Sequence, residues 1–235
     1  MNAAANPDRA SSVILRRETQ PRGFEVFLAH RLDDSLYLGG KYGFPGGPVQ
    51  ESDHTEAILG RCRGLSGEKA RKILGAHFAP PEALAFWIAA VRTLFEEVGI
   101  LIAVKENGEP VASDTELNIR LLEKRAALRD GSLSFQSFLE SENLVCAAAA
   151  LAYFSHWQTP AENSGSFDAR FFLAAMPDYQ SWRETATDSA HRLWLAPDRA
   201  LQLFSRGELP MTFATFASLR TLADFDDVKR QLKEF

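Results

Sequence analysis

Apolar positions along this chain fall into short runs with two different periods. Val13 to Leu15 and Phe24 to Leu28 flank Pro21-Arg22-Gly23, and two such runs around a Pro/Gly turn predict a β-hairpin. The next stretch, Gly39-Gly40-Lys41-Tyr42-Gly43-Phe44-Pro45-Gly46-Gly47, is too dense in glycine for regular structure and predicts a shaped loop. From His54 to Pro80 the sequence is polar, with one short helix expected after Ser66 and ended by Gly75. Pro80-Pro81 opens the strongest helical pattern of the chain, Glu82 to Val98, which Gly99 stops. Ile100 to Val104 reads as a strand. Asp114 to Asn143 reads as two helices parted by Asp130-Gly131, with Ser113 and Glu116 spaced as a capping box. Cys146 to Phe154, Phe167 to Ala174 and Arg192 to Leu195 are strand candidates, and Pro197 to Arg206 and Phe213 to Phe235 are helix candidates. The irregular alternation predicts a mixed α/β domain rather than a doubly wound sheet.

Length and charge narrow the class. The chain has 235 residues, enough for one large domain with a sizeable core. The reading is a disordered tail over residues 1–11 and a single domain over residues 12–235. The sequence holds 26 basic and 31 acidic residues, a net charge of −5, which argues against a nucleic-acid-coating surface. An anionic substrate would need a local cationic device. Cys62 and Cys146 are too few for a disulfide framework, and no Cys-x-x-Cys pair offers zinc a site. No apolar run approaches the roughly 20 residues of a membrane span, and the first ten residues lack the apolar core of a signal peptide. These features point to a cytoplasmic enzyme or binding domain.

The Glu82–Val98 helix carries the most chemistry. Projected at about 100° per residue, Leu84, Trp87, Ile88, Val91, Leu94, Phe95 and Val98 form one apolar arc. Arg92, Glu96 and Glu97 gather on the other with Thr93, Ala89 and Ala90. The two alanines leave room for another backbone, such as the Gly46-Gly47 loop. Two adjacent carboxylates repel and call for a cation, either a metal or an arginine. Helical spacing alone is equally met by a solvated surface face.

Phe44-Pro45-Gly46-Gly47, followed by a helix bearing Arg92-Thr93-Leu94-Phe95-Glu96-Glu97-Val98-Gly99-Ile100, resembles the Nudix hydrolases. Their box is G-x5-E-x7-R-E-U-x-E-E-x-G-U, with U a bulky aliphatic. Gly47 fits the opening glycine, and Arg92, Leu94, Glu96, Glu97, Gly99 and Ile100 fit later fixed positions. Asp53 stands where the family has Glu, and Thr93 replaces the first glutamate of R-E-U-x-E-E. Residues 54–91 fill a gap that is seven residues long in the box, an insertion of 31. An interruption there resembles the branch related to peroxisomal coenzyme A diphosphatases. His156-Trp157-Gln158-Thr159-Pro160, Ser166 to Phe172, Leu193 to Pro197 and Leu209-Pro210 are similar to later segments of that branch. The last residues, Lys233-Glu234-Phe235, are not its Ser-Lys-Leu peroxisomal address.

The resemblance implies an α/β/α sandwich with a mixed sheet, carrying helical insertions at about 54–80 and 114–143. It implies a diphosphohydrolase acting on a nucleoside-diphosphate derivative, coenzyme A or an acyl-CoA by branch, with Mg²⁺ or Mn²⁺ as cofactor. Glu96 and Glu97 would bind the metal, with the carbonyl of Gly46 or Gly47 completing its shell. Arg92 would orient a glutamate or steady the loop, and Arg31 and Lys41 would meet phosphates. Trp157 and Phe167 are candidates for stacking on adenine or for core packing. Threonine cannot replace a metal-binding carboxylate, so Asp53, Glu56, Glu162, Asp168, Glu184 and Asp188 are candidates to supply one. The alternative is a Nudix-fold module that binds a nucleotide-like ligand without cleaving it. No nucleic-acid or membrane partner is expected, and the 31-residue insertion is a candidate lid or homodimer contact.

Overall fold

The computed structural model describes residues 7–20, 23–31, 39–111, 115–159, 166–178, 180 and 191–224. In chain order its strands are β1 (Asp8–Glu18), β2 (Phe24–His30), β3 (Tyr42–Gly43), β4 (Gly46–Pro48), β5 (Cys62–Arg63), β6 (Ala103–Lys105), β7 (Leu144–Ala147), β8 (Leu151–Gln158), β9 (Phe167–Ala175) and β10 (Arg192–Leu195). The helices are α1 (Glu56–Leu59), α2 (Gly67–Leu74), α3 (Pro80–Val98), α4 (Thr115–Arg129), α5 (Phe135–Ser141), α6 (Pro197–Ser205) and α7 (Phe213–Ala223).

Seven strands make one mixed sheet, ordered β10-β2-β1-β9-β8, with β3 beside β2 and β4 beside β1. β1 runs antiparallel to β2 and β4 and parallel to β9. Alternation along β1 sends Val13 and Leu15 to one face and Ile14 to the other. On the first face they pack with Trp87, Ile88, Val91 and Phe95 of α3. On the second, Ile14, Phe171 and Leu173 pack with Ala200 of α6 and with Leu219 and Leu222 of α7. A sheet apolar on both faces needs cover on both, and the result is the expected α/β/α sandwich. A second sheet, β5-β7-β6, lies beside it. No described helix is long and apolar enough to cross a membrane.

Helix α3 begins at Pro80, where the Glu82 carboxylate accepts the Ala79 N–H at 2.9 Å. It ends at Gly99, whose φ of 79° and N–H bond to the Phe95 carbonyl close the last turn. Every residue from Ala83 to Phe95 is buried. Arg92 and Thr93 of the polar arc are therefore buried, while Glu96 and Glu97 stay partly open.

Several expectations are corrected. Asp8 to Ser11, assigned to a disordered tail, open β1 because they pair with Phe167 to Arg170 and with β4. The glycine-rich stretch is not a loop throughout, since it contributes β3 and β4. Close approach permits this: a Cβ on Gly46 would lie 2.3 Å from the Ser11 carbonyl oxygen. The run from Cys146 to Phe154 is two strands, split by a 3₁₀ turn at Ala148–Ala150, where three alanines bring no β-branched preference. Strand β6 starts only at Ala103: Leu101 spends both backbone groups on the Gln180 side chain, and Ile102 gives its carbonyl to the Ala147 N–H. Ser113 of the expected capping box lies outside the described residues, as does the chain beyond Asp224.

Candidate active site

Four elements converge at the last two turns of α3. Arg92 is 2% exposed and donates four hydrogen bonds from within the fold. Its Nε and Nη2 reach the two carboxylate oxygens of Asp53 at 2.9 and 2.8 Å, a bidentate pair between buried partners. Nη1 reaches Glu96 at 3.0 Å, and Nη2 also reaches the Pro48 carbonyl at 2.8 Å. Asp53 accepts in addition the Gln50 N–H at 2.8 Å. One arginine thus ties β4 and the turn after it to α3 and orients Glu96.

Glu97 faces the loop. It accepts the Gly46 N–H at 3.0 Å and pairs with Arg31 at 3.5 Å, while 37% of its side-chain surface stays open, against 23% for Glu96. The Arg31 guanidinium also approaches the carbonyls of Phe44 and Gly46, at 3.5 and 3.4 Å. Burial pushes the carboxyls of Glu96 and Glu97 above the ordinary range. Arg92 opposes this at Glu96; Arg31, the Gly46 N–H and Arg192 oppose it at Glu97.

Two arginines outside the box hold the end of α3. Arg125 of α4 donates to the carbonyls of Glu96 and Glu97 at 3.0 and 2.7 Å, and Arg192 of β10 donates to the Glu97 carbonyl at 2.6 Å. These are the last-turn carbonyls that a helix leaves unpaired, at the negative end of its dipole. Sequence reading missed both residues. Nothing in their local spacing links position 125 or 192 to a helix ending at 98.

Thr93 is 3% exposed, and its hydroxyl donates to the Ala89 carbonyl at 2.8 Å. Its methyl lies against Gly47, where a Cβ would come within 3.1 Å. The threonine therefore packs the helix under β4 and turns its oxygen back into the helix. Asp53 is committed to Arg92, and Glu56 is exposed on α1. Asp168 bonds His156 at 2.5 Å and also Arg170. Glu162, Glu184 and Asp188 lie outside the described residues. Among the described residues no three His, Cys, Asp or Glu side chains gather as a metal cluster. What remains is a donor set of two carboxylates, Glu96 and Glu97, with Gly46 donating its N–H to Glu97 and its carbonyl facing Arg31. These are hard oxygen ligands, and they fit a small divalent ion that takes one or two carboxylates and completes its shell with water and substrate phosphate.

In front of Glu97 opens a cavity of about 590 Å³, lined by Arg31, Lys41, Gly46 and Gly47 and by Trp157, Phe167 and Phe213 among others. Its size suits a small molecule. Lys41 is exposed there. The model of the NUDT19 Nudix domain matches residues 68–222, which include the whole of α3. The chain belongs to the NUDT19 Nudix domain family. Membership places it among the Nudix pyrophosphohydrolases.

Acyl-coenzyme A diphosphatase NUDT19 of Gallus gallus is 26% identical over 93% of this chain and 68% of its own length. The same-named protein of Homo sapiens is 24% identical over 89% of this chain. That of Xenopus laevis is 24% identical over 86%. This chain spans only 63% and 60% of the length of the human and frog proteins. Among solved structures, a Nudix hydrolase from Alicyclobacillus acidocaldarius superposes with a TM-score of 0.74 at 21% identity, covering 98% of this chain and 97% of that one. That likeness establishes the fold.

Proposed function

We propose that this chain is a Mg²⁺- or Mn²⁺-dependent diphosphohydrolase acting on coenzyme A or an acyl-CoA. The observation that carries the reading is Glu97, held by the Gly46 N–H in the wall of a cavity that Arg31 and Lys41 also line, with the neighbouring Glu96 oriented by Arg92. The three relatives named as acyl-coenzyme A diphosphatases support the substrate.

Glu96 and Glu97 would hold the metal, with the Gly46 carbonyl. Bound there, the ion would neutralise the diphosphate and lower the pKa of a ligated water. Arg92 acts as a positioning residue, fixing Glu96 and the chain after β4 through Asp53 and Pro48. Lys41 and Arg31 supply positive charge for the phosphates, which an acidic chain must provide locally. With Thr93 in place of a third carboxylate, Glu96 and Glu97 would hold a divalent ion weakly by themselves, and substrate phosphate would strengthen its binding.

The test is hydrolysis of coenzyme A, a medium-chain acyl-CoA, ADP-ribose, NADH and dinucleoside polyphosphates, each with Mg²⁺ and with Mn²⁺. Glu97→Gln is expected to lower turnover at least 100-fold without unfolding the protein, on the scale of losing one interaction made to the reacting groups. Best turnover of coenzyme A or its thioester supports the substrate. Absence of turnover on the whole panel, with ligands still raising the melting temperature, overturns the hydrolase in favour of a binding module.

A further inference from the structure

The two carboxylate oxygens of Glu97 meet different partners. Oε2 accepts the Gly46 N–H at 3.0 Å, which leaves Oε1 to face a cation, and Arg31 Nη1 stands there at 3.5 Å. Arg31 Nη2 reaches the carbonyls of Gly46 and Phe44 at 3.4 and 3.5 Å. The guanidinium thus rests on Glu97 Oε1 and the Gly46 carbonyl, two of the oxygens that a divalent ion beside Glu96 would take. A guanidinium and a divalent ion on shared ligands repel at close range. The two cations compete for one seat.

Arg31 is held loosely enough to leave it. All three of its side-chain contacts fall at 3.4–3.5 Å, the outer limit of a hydrogen bond, and 26% of the side chain is open. Arg92 differs: it bonds its partners at 2.8–3.0 Å and is 2% exposed. The backbone of Arg31, by contrast, is pinned. Its N–H donates to the Lys41 carbonyl at 3.0 Å, and its carbonyl accepts the Gly40 N–H at 2.9 Å. The side chain therefore swings from a fixed point on the wall of the cavity that it lines with Lys41. Among the described residues the Lys41 ammonium bonds none of the oxygens that Arg31 holds. We propose that Arg31 is an exchangeable counter-ion: it holds Glu97 and the Gly46 carbonyl, yields them to a divalent ion, and then turns its guanidinium to substrate phosphate. This rests on the hydrolase reading above and deepens it, because metal and phosphate binding become coupled through one side chain. Each strengthens the other by the same factor.

Mn²⁺ binding followed by electron paramagnetic resonance, alone and with methylenediphosphonate as a diphosphate that is not hydrolysed, reads this without turnover. Arg31→Gln keeps most of the side chain and loses its charge, and Arg31→Ala loses both. Each should bind Mn²⁺ alone at least about fivefold more tightly than the wild type, the low end of coupling between two sites. Lys41→Ala removes an exposed, screened cation from the same cavity and should change that affinity less than about twofold. Saturating Mn²⁺ should raise methylenediphosphonate affinity by a larger factor in the wild type than in either Arg31 variant, since only the wild type frees a cation. Thermal melts check that all variants are folded. Arg31 variants that bind Mn²⁺ no more tightly than the wild type overturn the proposal. So does Lys41→Ala matching them, which would reduce the gain to net charge, and so do equal coupling factors in wild type and variants. Metal-dependent hydrolysis together with any of these results keeps the hydrolase and removes the exchange; absence of Mn²⁺ binding in every protein, with and without methylenediphosphonate, removes both.

Discussion

At the scale of single residues, Arg92 decides the most. It is a buried charge whose partners come from three places in the sequence, at positions 48, 53 and 96. A buried pair that loses one member leaves an uncompensated charge. Asp53→Asn is therefore expected to lower the unfolding free energy by about 3–5 kcal/mol, measured by urea titration, and to weaken Mn²⁺ binding because Arg92, which orients Glu96, loses its bidentate anchor. Of this residue set, Arg92, Glu96 and Glu97 were legible from helical spacing as one arc and from the Nudix resemblance as a site. That Asp53 pairs with Arg92 was not legible. The 38 residues at 54–91 separate them, and only the packing of the 3₁₀ turn at Glu51–His54 on α3 brings Asp53 within 2.8 Å.

At the scale of elements, α3 is held at both ends. Glu82 closes its start, while Arg125 and Arg192 close its finish on the backbone of the two candidate metal-binding glutamates. Hydrogen bonds from a charged donor contribute about 1.5–3 kcal/mol. Arg125→Ala should lower stability by about that amount and weaken apparent Mn²⁺ affinity, since the last turn frays where Glu96 and Glu97 sit. Lys105→Ala, from an exposed pair with Glu109, should cost less than about 1 kcal/mol and leave metal affinity unchanged. Thermal melts and Mn²⁺ titrations of the two variants check this together. The boundaries of α2, α3 and α6 follow local signals: Ser66, Pro80, Pro197, Gly75 and Gly99 each act within one turn. Strands β3, β4 and β7 do not, because each is two to four residues long and exists only where another strand offers its edge.

At the scale of the whole molecule, Asp168 on the β8–β9 rung is expected to make the sheet's stability depend on acid. Burial alone would raise its carboxyl, but hydrogen bonds from Arg170 and His156 outweigh that and hold it below the usual range. Its pKa is lower folded than unfolded, so its stabilisation is present above the unfolded value near 4. It is lost as pH falls through the folded value. Urea midpoints of wild type and Asp168→Asn should differ most at neutral pH and converge in strong acid; a constant difference would show that charge is not the cause. The sequence by itself determined the α/β class, the long buried helix and the family, because periodicity, caps and the ordered motif Arg92 to Ile100 are all short-range information. Tertiary structure alone decided that Thr93 turns its hydroxyl into the helix and packs under Gly47. It also decided that Arg125 and Arg192 meet the end of α3, and that Trp157 and Phe213 share one cavity with Lys41. Each of these depends on which strand edges pair and which helix covers which face, and such contacts join residues too far apart in the chain for any local pattern to record them.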